Sequence, residues 1–223
     1  MGRPAKPLIS RERAARAALS VIDVHGLEAL SLELVANRLG VKAPSLYYHF
    51  RHKAELLAEI ARLLLADVRV PNPKSNDWKA ALIELAVATR RSVLQHANAA
   101  PLLLQFFPRH LLIGGYEHWI KPCPLPPEMH LTLIEGTEKL TFGNSLFEAA
   151  CRSRGIDPMP SFDRTRYPHL AKALRSNLHD DEAIFVATMS AFLTGLEASA
   201  AASASATAPA KRRVSKRATK ATA

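Results

Sequence analysis

Residues 31–50 contain two short helix-sized segments hinged on one glycine, and no other feature constrains the fold as much. Ser31 suits the N-cap of a segment whose Leu34, Val35 and Leu39 share one face. Gly40 stops that segment after about two turns. Pro44 then sits at a favoured first helical position and opens a segment with Ala43, Leu46 and Phe50 at i, i+3 and i+7. Ala36 is small where the two segments must approach, and Val35, Leu39, Val41 and Leu46 fill the wedge, so the pattern predicts a helix-turn-helix. With Leu46 and Phe50 inward, Pro44, Ser45, Tyr47, Tyr48 and His49 face outward between Lys42, Arg51 and Lys53. Such a face suits the major groove. Hydroxyls meet base edges or phosphates, proline and tyrosine rings touch thymine methyls, and cations neutralise phosphates. An ordinary helical hairpin with a polar face is the competing reading.

The flanking sequence is also punctuated for helices. Ser10 caps a segment carrying Ala14, Ala15, Ala18, Leu19 and Ile22 until Gly26, and a longer helix runs from about His52 through Leu64 to the break at Pro71-Asn72-Pro73. A domain boundary is expected in Pro71–Asn76. Asp77 caps a further run, and helices are expected near 98–107, 109–120, 127–153, 168–178 and 181–201, with no strand alternation. The expected fold is all-α: an N-terminal three-helix helix-turn-helix domain over 1–70 and a C-terminal helical domain over 77–201. From Ala198 the composition collapses to Ala, Ser, Thr and Lys/Arg, which predicts a disordered basic tail over 202–223.

Charge is unevenly spread. Of the net +10, residues 1–70 hold 11 basic against 7 acidic residues, residues 209–223 hold six basic and no acidic ones, and the middle is neutral. Basic ends imply a polyanionic partner, nucleic acid or an anionic membrane surface, or else a tail that only aids solubility. No run of about 18 apolar residues occurs, since Thr188, Ser190 and Thr194 break the longest segment, so no membrane-spanning helix and a cytoplasmic protein are expected. Cys123 and Cys151 match no disulfide framework or zinc spacing. His118, Cys123 and His130 invite a soft-metal reading, but the intervening prolines give them no ligand spacing, so no metal or cofactor is expected. No catalytic signature occurs either, and an enzyme is not expected.

Leu39-Gly40-Val41-Lys42-Ala43-Pro44-Ser45-Leu46-Tyr47-Tyr48-His49-Phe50 with Lys53-Ala54-Glu55-Leu56-Leu57 resembles the DNA-binding domain of the tetracycline-repressor (TetR-type) family of transcriptional regulators. Weaker similarity follows at Trp78-Lys79-Ala80-Ala81-Leu82, Arg90-Arg91, Tyr167-Pro168-His169-Leu170, Asp181–Phe185 and Leu193–Glu197, as in the C-terminal domain of the tetracycline repressor's own subgroup. The resemblance covers roughly 10–200 and implies a homodimer, a C-terminal ligand-binding and dimerisation domain, and a palindromic double-stranded operator. Carried over by position, it places Ala43, Pro44, Ser45 and Tyr47 at bases, Lys42, Tyr48, His49 and Lys53 near phosphates, and Ser31 near the backbone. Ala43 lacks the amide found there in the tetracycline repressor, and Glu33 stands where many members carry an arginine. Leu103 replaces the repressor's metal-ligating histidine, so a tetracycline–magnesium effector is not expected.

Leu103, Gln105, Phe106, His110, Tyr116, Trp119 and Phe142 are the candidate walls of an effector pocket, with His118 and Asn144 as further polar anchors; the apolar ones read equally well as core. Phe185, Met189, Phe192, Leu193 and Leu196 form an apolar stripe, read as a dimer contact or as core within one subunit. The sequence thus predicts a repressor released by a small apolar effector of unknown identity. The alternative is a nucleoid-type protein that coats DNA through its tail.

Overall fold

A computed structural model describes residues 9–66, 68 and 77–207. Among these the chain folds into ten α-helices and a short 3₁₀ turn: α1 (Arg11–His25), α2 (Leu32–Leu39), α3 (Pro44–Tyr47), α4 (Lys53–Ala66), α5 (Trp78–Gln95), α6 (Leu102–Gln105), α7 (Arg109–Ile120), the turn at Pro127–Met129, α8 (His130–Arg154), α9 (Pro168–Ser176) and α10 (Asp181–Thr207). The expected boundary at 71–76 and tail cations at 211–220 lie outside the described residues.

Local chemistry accounts for several helix ends. Ser10, Ser31 and Asp77 accept hydrogen bonds from the backbone N–H groups of Arg13, Leu34 and Lys79, satisfying donors that the first helical turn leaves open. At Gly40 the backbone turns left-handed, with φ 68°, while Val41 N–H bonds Ala36 O at 3.0 Å and Gly40 N–H bonds Asn37 O at 3.1 Å. This paired closure needs a residue without a Cβ penalty, which is why glycine stands at the turn.

Two differences from the sequence-based boundaries have physical causes. The expected helix at 98–107 shrinks to Leu102–Gln105, because Pro101 and Pro108 bracket it. The last helix runs to Thr207 rather than 201, since an alanine-rich segment keeps high helix propensity without core contacts.

Packing divides into two apolar cores. The first joins Ala14, Ala18 and Ile22 of α1 to Val35, Leu46, Phe50, Leu56, Ile60 and Leu64, and continues into Val93, Leu102 and Leu103. The α4 helix therefore belongs to both halves. The second core joins Leu82 and Ala86 of α5 to Leu133, Phe185, Met189, Leu193 and Leu196. The α10 stripe expected as a dimer contact is thus mostly the subunit's own interior, with Phe185, Met189 and Leu193 at most 2% exposed. Phe192 lies directly over Gly136 of α8, in space that a Cβ would occupy. One further expectation is corrected: by length and composition alone, Asp181–Ser205 is apolar enough to cross a membrane. Its Ser and Thr hydroxyls do not prevent this, because Thr188 and Ser190 return them to the carbonyls of Ile184 and Val186 at 2.9 and 2.8 Å.

Candidate nucleic-acid interface and ligand cavity

Helices α2 and α3 present the sequence-predicted face. Val35, Ala36, Leu46 and Phe50 are buried beneath it, whereas Tyr47 is 56% and Tyr48 91% exposed. Lys42 and Pro44 are exposed, and Ala43, Ser45 and His49 are half-buried at the same surface. Two large aromatic rings thus stand in water over a buried apolar base. Although α3 has a single turn, Leu46 O accepts from His49 N–H and Phe50 N–H at 2.9 and 3.0 Å, carrying the turn to Phe50.

Residues outside the motif fix this face. Arg11 of α1 stacks on the Phe50 ring with its guanidinium 4.5 Å from the centroid, donates to His49 O, and lies 3.7 Å from Glu55. Glu55 accepts from Arg51 N–H at 3.1 Å, and this bond, more than the nearby cations, holds its carboxyl below the usual range. Lys53 Nζ donates to Leu30 O at 2.8 Å, tying α4 to the loop before Ser31. Lys53 therefore has a structural bond as well as its expected place near phosphate. Arg11 escaped sequence reasoning because its three partners lie 38 to 44 residues along the chain.

The second feature is a cavity of about 440 Å³ between α4, α5, α7 and α8. Tyr116, Trp119 and Phe142 line it, as the sequence suggested. Leu103, Gln105, Phe106 and His110 do not. Leu103 is sealed in the first core, Phe106 packs against that core, and Gln105 and His110 face outward. The short α6 turns its apolar side to α4 instead of to the cavity, which periodicity could not reveal. Asn144 is also elsewhere: its Oδ1 accepts from Arg90 Nε at 2.8 Å. His118 packs edge-on against Trp119. Among the described residues, no three His, Cys, Asp or Glu side chains converge, and His130 Nε2 lies 2.8 Å from Leu125 O.

Apart from Tyr116, the cavity's polar wall comes from residues that sequence reasoning passed over. Glu138 accepts from the Tyr116 hydroxyl and from Arg109, the latter at 2.9 Å. Burial, reinforced by the hydrogen bond to Glu138, pushes the Tyr116 phenol well up, so it remains a neutral donor. The Thr137 and Thr141 hydroxyl oxygens are buried with no partner among the described residues. Leaving such a group unpaired costs about 1–3 kcal/mol. Leu65, Ala66 and Val68 also line the cavity, at and just past the end of the helix whose start is tied to the loop before Ser31.

Residues 15–60 match the family described as bacterial regulatory proteins, tetR family. Over 187 residues the chain is 30% identical to the HTH-type transcriptional repressor DrrR1 of Streptomyces coeruleorubidus, covering 77% of this chain and 66% of that one. The chain belongs to the TetR family. This TetR-family protein is also 37% identical over 87 residues to the class A tetracycline repressor protein from transposon 1721 of Escherichia coli, a match covering 38% of this chain and 40% of that one. The first tetracycline repressors and regulators it matches are thus aligned over less than half their length. In fold, the TetR-family chain resembles apo ActR from Streptomyces coelicolor, with a TM-score of 0.70 and 23% identity over 89% of this chain and all of that one.

Proposed function

We propose that this TetR-family chain is a DNA-binding transcriptional repressor acting as a homodimer on a palindromic operator in the cytoplasm, and released by a small, largely apolar effector. The observation that carries this reading is the exposed Tyr47–Tyr48 surface, braced from below by Leu46, Phe50 and Arg11. On this reading Ala43, Pro44, Ser45 and Tyr47 meet bases, while Ser31, Lys42, Tyr48, His49 and Lys53 lie along phosphates. Two copies would pair through α8 and α10. The exposed residues Ala187, Ala191, Thr194 and Ala198 recur on one α10 face at spacings that allow close helix packing.

The effector would act through α4. A ligand in the cavity touches Leu65, Ala66 and Val68, and a shift of α4 would reach the helix-turn-helix through the Lys53–Leu30 contact. Repression then ends when the two recognition helices leave the roughly 34–36 Å spacing of successive major grooves.

Selection of bound sites from random DNA tests the reading. A palindromic sequence preferred by several kcal/mol over random DNA is expected. Uniform binding to all sequences would favour the nucleoid-type alternative, in which the six cations of 209–223 carry the affinity.

A further inference from the structure

Six cations stand past the described residues, Lys211, Arg212, Arg213, Lys216, Arg217 and Lys220, with no acidic residue in 209–223. The helix they follow limits where they can go. It begins beside the late turns of α5, where Glu182 accepts from Arg91 Nε at 2.8 Å. By Glu197 it has reached the first turn of α5, where Lys79 Nζ donates to it at 2.6 Å. The two helices therefore run antiparallel. The Gln95 end of α5 is the one joined to the helix-turn-helix half, through His96 and Asp23. Helix α10 thus leads away from the DNA-binding face.

Helical rise turns this direction into a distance. From Gln95 back to Lys79, α5 advances about 24 Å, and from Glu197 to Thr207, α10 advances about 15 Å more, which puts Thr207 about 39 Å from the joint with α1. A fully extended backbone covers at most about 3.6 Å per residue. Lys211, Arg212 and Arg213 then lie within about 22 Å of Thr207, and Lys216 and Arg217 within about 36 Å, so all five fall short even of the Asp23–His96 joint. Lys220 reaches it only with the backbone nearly straight, at about 47 Å. The Tyr47–Tyr48 face is one helix further away, at the opposite end of α1, where Arg11 donates to His49 O.

The chemistry of 209–223 selects the partner. Cations at this density beside a neutral middle favour a polyanion. Apart from Pro209, Val214 is the only large apolar residue among them, so the segment lacks the Leu, Phe or Trp that an interfacial membrane helix buries. Its other residues are Ala, Ser and Thr, small enough to let Lys and Arg approach phosphates. Around a protein already seated on DNA, the polyanion at highest local concentration is a neighbouring stretch of DNA.

We infer that residues 209–223 capture a second DNA segment, through its phosphates and without sequence preference, so that one molecule bridges two duplexes. The inference rests on reading α2 and α3 as the DNA-binding face, and it adds a second partner at the opposite end of the molecule. It also takes the six cations out of the operator contact.

The test uses the full chain on a bead-immobilised duplex that carries the sequence preferred in the site selection, or a fixed arbitrary duplex where none is preferred. After washing, a fluorescent duplex of random sequence is added, and its retention is measured at several salt concentrations. The unsubstituted chain should retain it, with retention falling steeply as salt rises, since each neutralised phosphate contributes about 0.9 to the logarithmic salt slope. The variant Lys211→Gln/Arg212→Gln/Arg213→Gln/Lys216→Gln/Arg217→Gln/Lys220→Gln should retain about tenfold less, while binding the immobilised duplex within about twofold of the unsubstituted chain. Vesicles of phosphatidylcholine and phosphatidylserine, added in place of the second duplex, present an anionic lipid surface. A glutamine variant that still captures the second duplex, or that binds the immobilised duplex tenfold more weakly, would overturn the inference. So would an unsubstituted chain that retains vesicles but no second duplex, or neither. Capture of the second duplex with no preferred sequence in the selection overturns only the repressor, whereas a preferred sequence without capture overturns only this inference.

Discussion

His96 Nδ1 lies 2.9 Å from the Asp23 carboxylate, joining the end of α5 to the last turn of α1 across 73 residues of sequence. Asn98 Nδ2 adds a bond to Asp23 O at 3.1 Å, so one acidic residue holds the helix-turn-helix half to the cavity half from two directions. If this strut transmits strain from the cavity, Asp23→Ala should lower stability by about 1 kcal/mol and shrink the effect of cavity ligands on operator affinity. Thermal melting, and operator titrations across a panel of small apolar ring compounds, measure both effects. An unchanged ligand effect would remove the strut from the coupling route.

Arg90 is 3% exposed and bonded to Glu148 and Asn144, with Glu182 at 3.5 Å, which locks α5, α8 and α10 together. Arg90→Met should cost about 1–3 kcal/mol, because Glu148 loses its buried partner and keeps only the exposed Arg152 on its other oxygen. The double variant Arg90→Met/Glu148→Leu should recover most of that loss. Denaturant titration checks this, and a double variant no better than the single one would show that the bonds themselves, not the stranded charge, set the cost.

Glu182 accepts from Arg91 Nε at 2.8 Å, and this bond holds its carboxyl below the ordinary value of 4.5. A folded-state value below the unfolded one means that the contribution to stability is present above about pH 4.5 and is lost as pH falls through the folded value. The stability advantage of the unsubstituted chain over Glu182→Gln should therefore shrink between pH 6 and pH 3. A gap that stays constant across that range in equilibrium unfolding would contradict the assignment.

On the DNA face, Tyr47→Ala and Lys53→Ala should act differently. Loss of the exposed Tyr47 ring should reduce discrimination between operator and random DNA by about 1–3 kcal/mol. Loss of Lys53 should weaken all DNA roughly equally, and it should also lower the Tm because the Leu30 O contact goes with it. Competition titrations resolve the two patterns, and unaltered affinity in both variants would refute α3 as the reading helix.

Ala191→Glu should yield monomers that keep their helical content, since Ala191 is exposed in the subunit while Phe192 beside it is packed over Gly136. Sedimentation of a folded, intact dimer would place the interface elsewhere.

The all-helical fold, the turn at Gly40 and the outward face of α3 were legible in the sequence because each depends on neighbours within a few residues. A cap, a left-handed glycine and a 3.6-residue period leave their marks locally. Family membership was legible for the same reason, since residues 39–57 hold the motif in one unbroken stretch. The cavity was not. Leu103 and Trp119 are both large and apolar, and only the packing of α6 against α4 decides that the first is core and the second is wall. The Phe185–Leu196 stripe likewise fits an interface or an interior until α5 and α8 cover it. Polar partnership is decided at the same level. Asn144 meets Arg90 at a separation of 54 residues, and Glu138 meets Arg109 at 29, because hydrogen bonds between distant helices depend on where whole helices come to rest.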